Sequence, residues 1–363
     1  MKQINLHRLT VIVTAAVYLA VLVATILAFR PADFPLPTLH TAFNGEWSGR
    51  VEEYLTEHLG FHDELFRVKS RADLLLGEKM IQGVYVTDDM LLEKLITEEV
   101  PDPATSAGPV NDFYAETGMP TYLILVPSAS EIYKTTLPAN AVNADQKSRI
   151  QAIYAETAAG VRCVDAYNVL SSRKNNYIYY RTDSHWTSYG CYCVYQAAIQ
   201  KMGVSAVPYE NYVISHLSTE YRGNLYARTL YDGVKADVLD RYRNEGGAQI
   251  TRVTAYYGDG SIEERGKELY DETALDTESM YQFYLGTPCE KLVVQTNLDN
   301  GKKLLLYKDD FADCMIPFLA EHYSEICIVD LTRMRSAYGS AADPADYTQA
   351  LFLCSMERWD QIW

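Results

Sequence analysis

The sequence predicts an α/β protein with a mostly parallel sheet, preceded by one N-terminal transmembrane helix. Two observations support this prediction. From about residue 109 onward, helical and strand patterns alternate, which is typical of a parallel sheet with helices on its faces. Before that, residues 9–29 are 21 uncharged, mostly apolar residues. As a helix they would be about 31 Å long, which matches the hydrocarbon core of a bilayer.

The N-terminal segment has the features of an uncleaved membrane anchor. Lys2 and Arg8 precede the apolar stretch, so residues 1–30 are expected to hold a cytoplasmic N-terminus and the anchor, with the rest outside the cell. A cleaved signal peptide is the alternative, but its apolar region would be shorter, and no small-x-small site precedes Arg30. Prolines within 31–42 predict a stiff tether to an extracellular domain spanning 43–363.

The composition limits the classes of partner. A net charge of −16 argues against nucleic-acid binding, which depends on neutralising phosphates with Lys and Arg. The 29 tyrosines are compatible with glycan binding and equally with packing in cores and interfaces. The seven cysteines include no CxxC pair, so we expect mostly free, buried thiols and neither a zinc ribbon nor a thioredoxin-type site.

The first half of the alternation follows from local patterns. Residues 61–79 have helical periodicity, and 83–86 form a short predicted strand. A predicted helix at 110–117 precedes a buried strand at 121–126, which consists of apolar and β-branched residues and ends at Pro127. The elements expected next are a helix at 144–159, strands at 161–165 and 177–181, and a helix from Trp186 to Met202 that ends at Gly203.

The second half contains an interruption. Residues 204–280 are richer in charge and turns, which predicts an insertion with short antiparallel strands. This insertion either shapes access for a substrate or only elaborates the surface. The alternation then resumes with strands at 292–296, 303–307, 326–331 and 350–354, and with a helix at 311–322 that has an apolar stripe.

The stretch with the clearest chemistry is Arg181-Thr182-Asp183-Ser184-His185-Trp186. Asp183 and His185 are two positions apart, so in an extended segment their side chains point to one side. A carboxylate beside an imidazole can hold one tautomer and stabilise the imidazolium, as in hydrolase triads. A structural alternative is that the Asp or Thr caps the following helix while the His packs under Trp186.

This stretch and the aromatic-rich helix after it resemble the DHHW-motif family of Gram-positive bacteria, which is similar to the alginate O-acetyltransferase-like branch of the SGNH hydrolases. Other similar segments cover most of the chain outside the membrane: Phe61-His62-Asp63, Gly83 to Val86, Leu125 to Tyr133, Tyr221-x-Gly223-x-x-Tyr226 and Lys302 to Leu331. The resemblance implies an SGNH-hydrolase-like three-layer sandwich that acts in cell-envelope polysaccharide modification, by O-acetyl transfer or ester hydrolysis. A cell-surface polysaccharide and a membrane-bound O-acyltransferase are the implied partners, and no cofactor is implied.

The resemblance also implies a serine nucleophile in a strand–Lys-Asp-Ser–helix elbow. Here the elbow reads Tyr307-Lys308-Asp309-Asp310-Phe311, so Asp310 occupies the serine position. Asp310 would complete a catalytic set with Asp183 and His185. A carboxylate has no proton to give at neutral pH, and two carboxylates favour His⁺, a poor base. Serine-type catalysis is therefore expected to be impaired or lost. The residues expected to contact substrate are Arg181, Trp186, Tyr226, Lys308 and Asp309.

Three interpretations of the altered elbow stay open. The domain is an inactive SGNH-like protein that binds glycan or a partner, or it holds a divalent cation through Asp309, Asp310, Asp313 and His185. Otherwise it is an active enzyme in which Asp310 is nucleophile or base, or in which another serine is recruited. The candidate serines are Ser128, Ser130, Ser184 and Ser188. No metal is expected in the catalytic site.

A second departure from the family concerns the oxyanion hole. The resemblance implies a Gly-Gly-Asn stretch before the elbow, whose Asn amide would help to bind an oxyanion. This chain has Leu285-Gly286-Thr287-Pro288 instead, and proline has no N–H to donate. Asn297 is an alternative amide donor.

Overall fold

The computed structural model describes residues 6–29, 34–36, 47–48, 50–51, 54, 61–96, 100–334 and 341–363. The chain divides into two units, one formed by residues 1–78 with 229–231 and the other by residues 79–228 with 232–363. Most of the predicted tether at 31–42 lies outside the described residues.

The described part of the first unit contains two long helices. Helix α1 (Leu6–Ala28) includes an 18-residue stretch, Thr10–Leu27, that is long and apolar enough to cross a membrane. A signal sequence near the N-terminus can meet the same criteria of length and apolar composition. Helix α2 (His62–Leu75) carries Asp63 and Glu64 in its first turn, where negative charge complements the helix dipole.

The second unit is organised around an eight-stranded mixed sheet. In spatial order its strands are β5 (Val161–Cys163), β4 (Thr121–Val126), β13 (Gln349–Ser355), β11 (Lys303–Lys308), β12 (Glu325–Asp330), β10 (Lys291–Thr296), β8 (Ile250–Tyr256) and β9 (Ile262–Glu264). The first five strands run parallel to one another, and the three pairings that follow, β12 with β10, β10 with β8 and β8 with β9, are antiparallel. The prediction of a mostly parallel sheet was therefore wrong.

The reversal of direction has a local cause. Only residues 297–302 separate β10 from β11, whereas a parallel arrangement needs a crossover of about a dozen residues or more. The chain therefore turns back, and β10 runs antiparallel to β12. Strands β8 and β9 extend this antiparallel edge and come from the segment predicted as an insertion.

Helices cover both faces of the sheet. On one face, α3 (Pro103–Thr117), α5 (Gln146–Ala155) and α10 (Met356–Ile362) pack on alternate strand residues such as Leu305 and Tyr307. On the other face, α6 (Ala166–Ser171), α7 (Ser188–Lys201) and α9 (Ile316–Leu319) pack on Leu304 and Leu306. Because successive strand residues point to opposite faces, one apolar run supplies both cores. The result is a three-layer arrangement.

Two smaller sheets flank the large one. Strands β1 (Met80–Ile81), β2 (Val84–Val86) and β3 (Leu91–Glu93) form an antiparallel sheet, and β6 (Val213–Tyr221) pairs with β7 (Asp237–Arg243). The other helices are α4 (Ala129–Ile132), α8 (Asn224–Thr229) and 3-10 turns at Lys134–Thr136, Tyr209–Asn211, Glu272–Asp276, Met280–Phe283, Asp310–Met315 and Pro344–Asp346.

Two predicted elements differ in the structure. The strand predicted at 177–181 is an irregular segment with a single bridge between Tyr179 and Trp186, because it folds back on itself. The helix predicted at 311–322 is a 3-10 turn followed by the short helix α9. Pro317 lacks an N–H and is tolerated only near the start of a helix, which explains the break. All seven cysteines are free thiols.

Candidate active site

The site begins with a tight turn between residues 181 and 187, which a buried carboxylate holds in place. Asp237, on β7, accepts hydrogen bonds from the backbone N–H groups of Arg181 and Thr182, both at 2.8 Å. It also accepts the hydroxyls of Thr182 and Tyr177, both at 2.5 Å. Asp237 is fully buried, so these four donors compensate for the lost hydration of its charge.

This turn places Asp183 against His185. The Nδ1 atom of His185 donates to Oδ1 of Asp183 over 2.6 Å, and the His185 backbone N–H donates to the same oxygen over 2.9 Å. The second carboxylate oxygen accepts from the Tyr221 hydroxyl at 2.7 Å and from the Asn224 N–H at 3.0 Å. Every oxygen of the buried Asp183 is thus used, and the imidazole is fixed with Nε2 pointing away from it.

Gly223 makes this close packing possible. A Cβ atom at this position would lie 1.9 Å from Oδ2 of Asp183. The motif Tyr221-x-Gly223 therefore contributes a hydroxyl donor and the absence of a side chain at one place. The segment predicted as an insertion is a structural part of the site, since it supplies Tyr221, Gly223, Asn224 and Asp237.

The elbow brings Asp310 to the other side of the imidazole. Strand β11 ends at Lys308, Asp309 caps the 3-10 turn through the Phe311 N–H, and Asp310 is its first residue. Oδ1 of Asp310 lies 3.3 Å from Nε2 of His185 as an ion pair, although the N–H direction does not meet hydrogen-bond geometry. The structure thus brings Asp183, His185 and Asp310 together in one row.

The electrostatics of this row favour a charged imidazole. Burial acts to lower the pKa of His185, but the Asp310 and Asp183 carboxylates outweigh it and raise this pKa well above its ordinary value. Burial acts to raise the pKa of Asp310, but the His185 imidazolium and the Lys308 ammonium hold it well below its usual range. The site therefore favours a carboxylate–imidazolium–carboxylate arrangement.

Aromatic rings enclose the imidazole. The Tyr281 ring stacks on His185 with centroids 3.9 Å apart and an interplanar angle of 16°, and the Phe311 ring lies 4.8 Å away. Trp186 is fully buried, and its indole N–H donates to the Phe311 carbonyl over 2.7 Å. This bond joins the turn to the elbow, so Trp186 has a packing position rather than one that faces a ligand.

Lys308 and Asp309 lie behind the elbow in buried ionic contacts. Lys308 Nζ is 2.6 Å from Asp313 and 3.3 Å from Asp330. Asp309 accepts the N–H of Ser355 at 2.8 Å and its hydroxyl at 2.7 Å. Burial and the charge of Asp310 raise the pKa of Asp309 to about 7. The proposed cation ligands face different partners, and no group of three or more such side chains forms a cation site within the described ranges.

The other predicted contact residues lie further out. The Arg181 guanidinium covers the Tyr177 ring at 4.3 Å and lies 3.7 Å from Asp237. The Tyr226 hydroxyl donates to Asp232 at 2.8 Å, and Arg222 lies over its ring. Among the serines proposed as substitutes, Ser188 lies 2.7 Å from the Tyr284 hydroxyl. Ser128 caps α4 and contacts Ser130, and Ser184 binds Asn224.

The stretch expected to form an oxyanion hole has few free donors. The N–H groups of Leu285 and Gly286 donate to the carbonyls of Leu269 and Gln282. Asn297 follows the end of β10, and this end pairs with the start of β12. The elbow follows the end of β11, which pairs with the end of β12. Asn297 and the elbow therefore lie at opposite ends of the sheet. The alternative that Asn297 supplies the amide was therefore wrong, because β10 runs antiparallel.

Several important residues were missed by sequence reasoning. Asp237 and Asn224 carry no local signal, because their partners are more than 40 positions away in sequence. Tyr281 sits in a turn that has no recognisable motif. Tyr221 and Gly223 were signalled by the Tyr-x-Gly pattern, but not their contact with Asp183.

Comparisons with known proteins agree with this fold. A DHHW family protein from Eubacterium siraeum superimposes with a TM-score of 0.67 at 23% identity, covering 77% of this chain and 93% of its own. Bacillus cereus PatB1 superimposes with a TM-score of 0.64 at 23% identity, covering 76% of this chain and 96% of its own. At these identities the likeness establishes a shared fold. No curated protein matches in sequence. The family model described as DHHW protein matches residues 115–329, more than half of the sequence, and the chain therefore belongs to the DHHW family.

Proposed function

We propose that the protein is a membrane-anchored, extracellular SGNH-like protein of cell-envelope polysaccharide modification. In this proposal, serine-type O-acetyl transfer or ester hydrolysis is impaired or lost. The observation that carries the proposal is Asp310 at the elbow, 3.3 Å from His185 Nε2, where a serine would be activated. The family membership and the α/β fold support the class of protein, and the apolar helix α1 supports the anchor.

The chemical argument follows the proton. In a serine mechanism, His removes the hydroxyl proton and the oxygen attacks the ester carbonyl. Asp310 carries no such proton, and His185 is already protonated between two carboxylates. Acyl transfer to Asp310 would produce a mixed anhydride, which is less stable than the ester it came from. The row of three side chains therefore stabilises itself and leaves no base for a serine-type step.

The polysaccharide and the partner rest on the family resemblance. Bacillus cereus PatB1 has been solved with a sulfonyl adduct, and sulfonyl electrophiles report on activated nucleophiles. A membrane-bound O-acyltransferase partner would deliver acetyl groups to the surface-exposed domain. Arg181 and Tyr226 keep their proposed roles as substrate contacts. Lys308 and Asp309 are buried behind the elbow, so in this proposal they support the elbow and do not contact substrate.

The test measures hydrolysis of p-nitrophenyl acetate and labelling by phenylmethylsulfonyl fluoride, with the full chain in detergent micelles. Wild type should show neither above background. Asp310→Ser should become labelled, and hydrolysis should rise only slightly, because Leu285 and Gly286 already use their N–H groups. The double variant Asp310→Ser/His185→Gln is the control and should lose the labelling.

Two outcomes would overturn the proposal. Robust wild-type turnover that disappears in Asp310→Asn would make Asp310 a catalytic carboxylate. Wild-type turnover that survives Asp310→Asn and His185→Gln would place the chemistry at a different site. The alternative function is non-catalytic binding of a glycan or a protein partner at the surface. A wide polar cavity beside Arg181 favours the glycan.

A further inference from the structure

The cavity beside Arg181 has a volume of about 830 Å³ and lies outside the row of Asp183, His185 and Asp310. It is formed by the loop after β2, the 3-10 turn Lys134–Thr136 and the turn at 174–177. Every residue that lines it except Met90 has a side chain able to hydrogen-bond. Such a lining suits a ligand with many hydroxyl groups, since it offers polar contacts on all sides.

Tyrosine rings form part of the wall. Tyr133 is half-buried and meets the buried Tyr179 edge-on, with centroids 6.2 Å apart at 82°. Tyr177 is also half-buried, and the Arg181 guanidinium covers one of its faces. Within the described ranges, the Tyr133 hydroxyl has no hydrogen-bond partner, and burial raises its pKa to about 12. A tyrosine offers an apolar face and a polar tip at once, as sugar rings require.

The charges in the cavity balance. Asp88 and Asp89 lie in the loop after β2, and Lys174 and Arg181 contribute two positive charges. In the described part of the chain, Asp88, Lys174 and Asn175 have exposed side chains without a hydrogen-bond or ion-pair partner. An anionic ligand would be attracted by the two cations and repelled by the two carboxylates. A cationic ligand would be attracted by the carboxylates and repelled by the cations. A neutral ligand uses all of them as hydrogen-bonding groups.

We infer that this cavity is a binding subsite for a neutral saccharide segment, with Tyr133, Asn175, Lys174 and Asp88 as its contacts. The inference rests on the proposed function and deepens it, since it names the charge class of the glycan and where it binds. Arg181 connects the subsite to the candidate active site. Its guanidinium lines the cavity, and its backbone N–H donates to Asp237. Asp237 also accepts the N–H of Thr182, the residue before Asp183.

The experiment titrates the full chain in detergent micelles with three tetrasaccharides that differ in charge. Chitotetraose is neutral, the chitosan tetramer is cationic and tetragalacturonate is anionic. Binding is measured by calorimetry and by saturation-transfer NMR. Chitotetraose should bind with a dissociation constant below about 1 mM, and the charged oligomers more weakly. Tighter binding of either charged oligomer would overturn the inference, as would no binding of chitotetraose.

Variants locate the binding. Asn175→Ala and Lys174→Ala should each weaken chitotetraose binding by about fivefold or more, the effect of one lost hydrogen bond. Lys235→Ala, at another exposed lysine that lies outside the cavity, is the matched control and should have no effect. Binding that resists both cavity variants would refute the subsite. Ester hydrolysis is measured in a separate assay. Failure of the subsite in the binding experiment therefore leaves the proposal for Asp310 intact, and failure of that proposal in the hydrolysis assay leaves the binding result intact.

Discussion

Replacing Asp310 by asparagine should make His185 a weaker base. The exchange keeps the size of the side chain and removes a negative charge 3.3 Å from Nε2, while Asp183 remains 2.6 Å from Nδ1. Burial acts to lower the pKa of His185, and the Asp310 and Asp183 carboxylates together raise it. Loss of the Asp310 charge should therefore move this pKa downward.

The magnitude follows from the distance and the exposure. Two unit charges 3.3 Å apart attract each other by about 1 kcal/mol in water and by about 5 kcal/mol at an effective dielectric constant of 20. The Asp310 side chain is 52% exposed. Solvent therefore screens the pair. Removing the Asp310 charge should weaken the stabilisation of the His185 imidazolium by about 1–2 kcal/mol, near the lower end of this range.

The same charge pair has a consequence for stability. A histidine whose folded pKa is raised contributes stability that is complete below its unfolded pKa of about 6.5 and is lost as pH rises through the folded pKa. The Asp310→Asn variant should lack the Asp310 share of this contribution. Its free energy of unfolding should therefore fall less than that of the wild type as pH rises from 6.5 through the alkaline range.

The assay is NMR of the full chain with ¹³C-labelled histidine in detergent micelles. The Cε1 shift of His185 is followed against pH and assigned with His185→Gln. Asp240→Asn is the matched control, because it removes a carboxylate that pairs with His216 and should leave the His185 titration unchanged. An unchanged His185 titration in Asp310→Asn would refute the ion pair and, with it, the argument that the base is blocked.

Three further predictions test the packing that holds the turn, the first two by urea unfolding of the full chain and the third by the NMR resonance of His185. Asp237→Asn should lower the free energy of unfolding by about 3 kcal/mol, because it replaces a buried carboxylate that accepts four hydrogen bonds. A loss below about 0.5 kcal/mol would contradict the role of Asp237 in holding the turn. Tyr221→Phe should lower the free energy of unfolding by about 1–3 kcal/mol through Asp183, whereas Tyr226→Phe, at a half-buried tyrosine that bonds to Asp232, should lower it by less than about 0.5 kcal/mol; equal losses contradict the assignment. Gly223→Ala should displace Asp183 and shift the His185 resonance, since its Cβ would overlap Oδ2; an unperturbed resonance contradicts the close packing.

Much of the sheet could be predicted because its buried strands have unbroken apolar runs between clear breakers. Strand β4 has the predicted bounds of 121–126, and β11 extends the predicted 303–307 by one residue. The Asp183–His185 pair was also a local prediction, because two positions in one chain segment fix how near the side chains are. The family resemblance added Asp310, which neither spacing nor composition indicated.

Strand direction could not be predicted from these patterns. A buried strand has the same apolar pattern whether its neighbour runs parallel or antiparallel, so the short link at 297–302 was the only signal for β10. The segment 177–181 has strand-forming residues, yet its backbone hydrogen bonds are divided among Leu91 at the start of β3, His185 and the Asp237 carboxylate, and they form no ladder with one strand. In both cases the partner decides the structure, and the partner is distant in sequence.

The sequence by itself determined the apolar N-terminal helix, the buried strands and the residue types at the elbow, because each depends on side chains a few positions apart. Only the tertiary structure decided that Asp310 faces His185 and that Asp237, Tyr221 and Asn224 hold the turn. A buried carboxylate must find donors wherever the fold brings them. Their identity is set by the path of the chain, which local periodicity does not record.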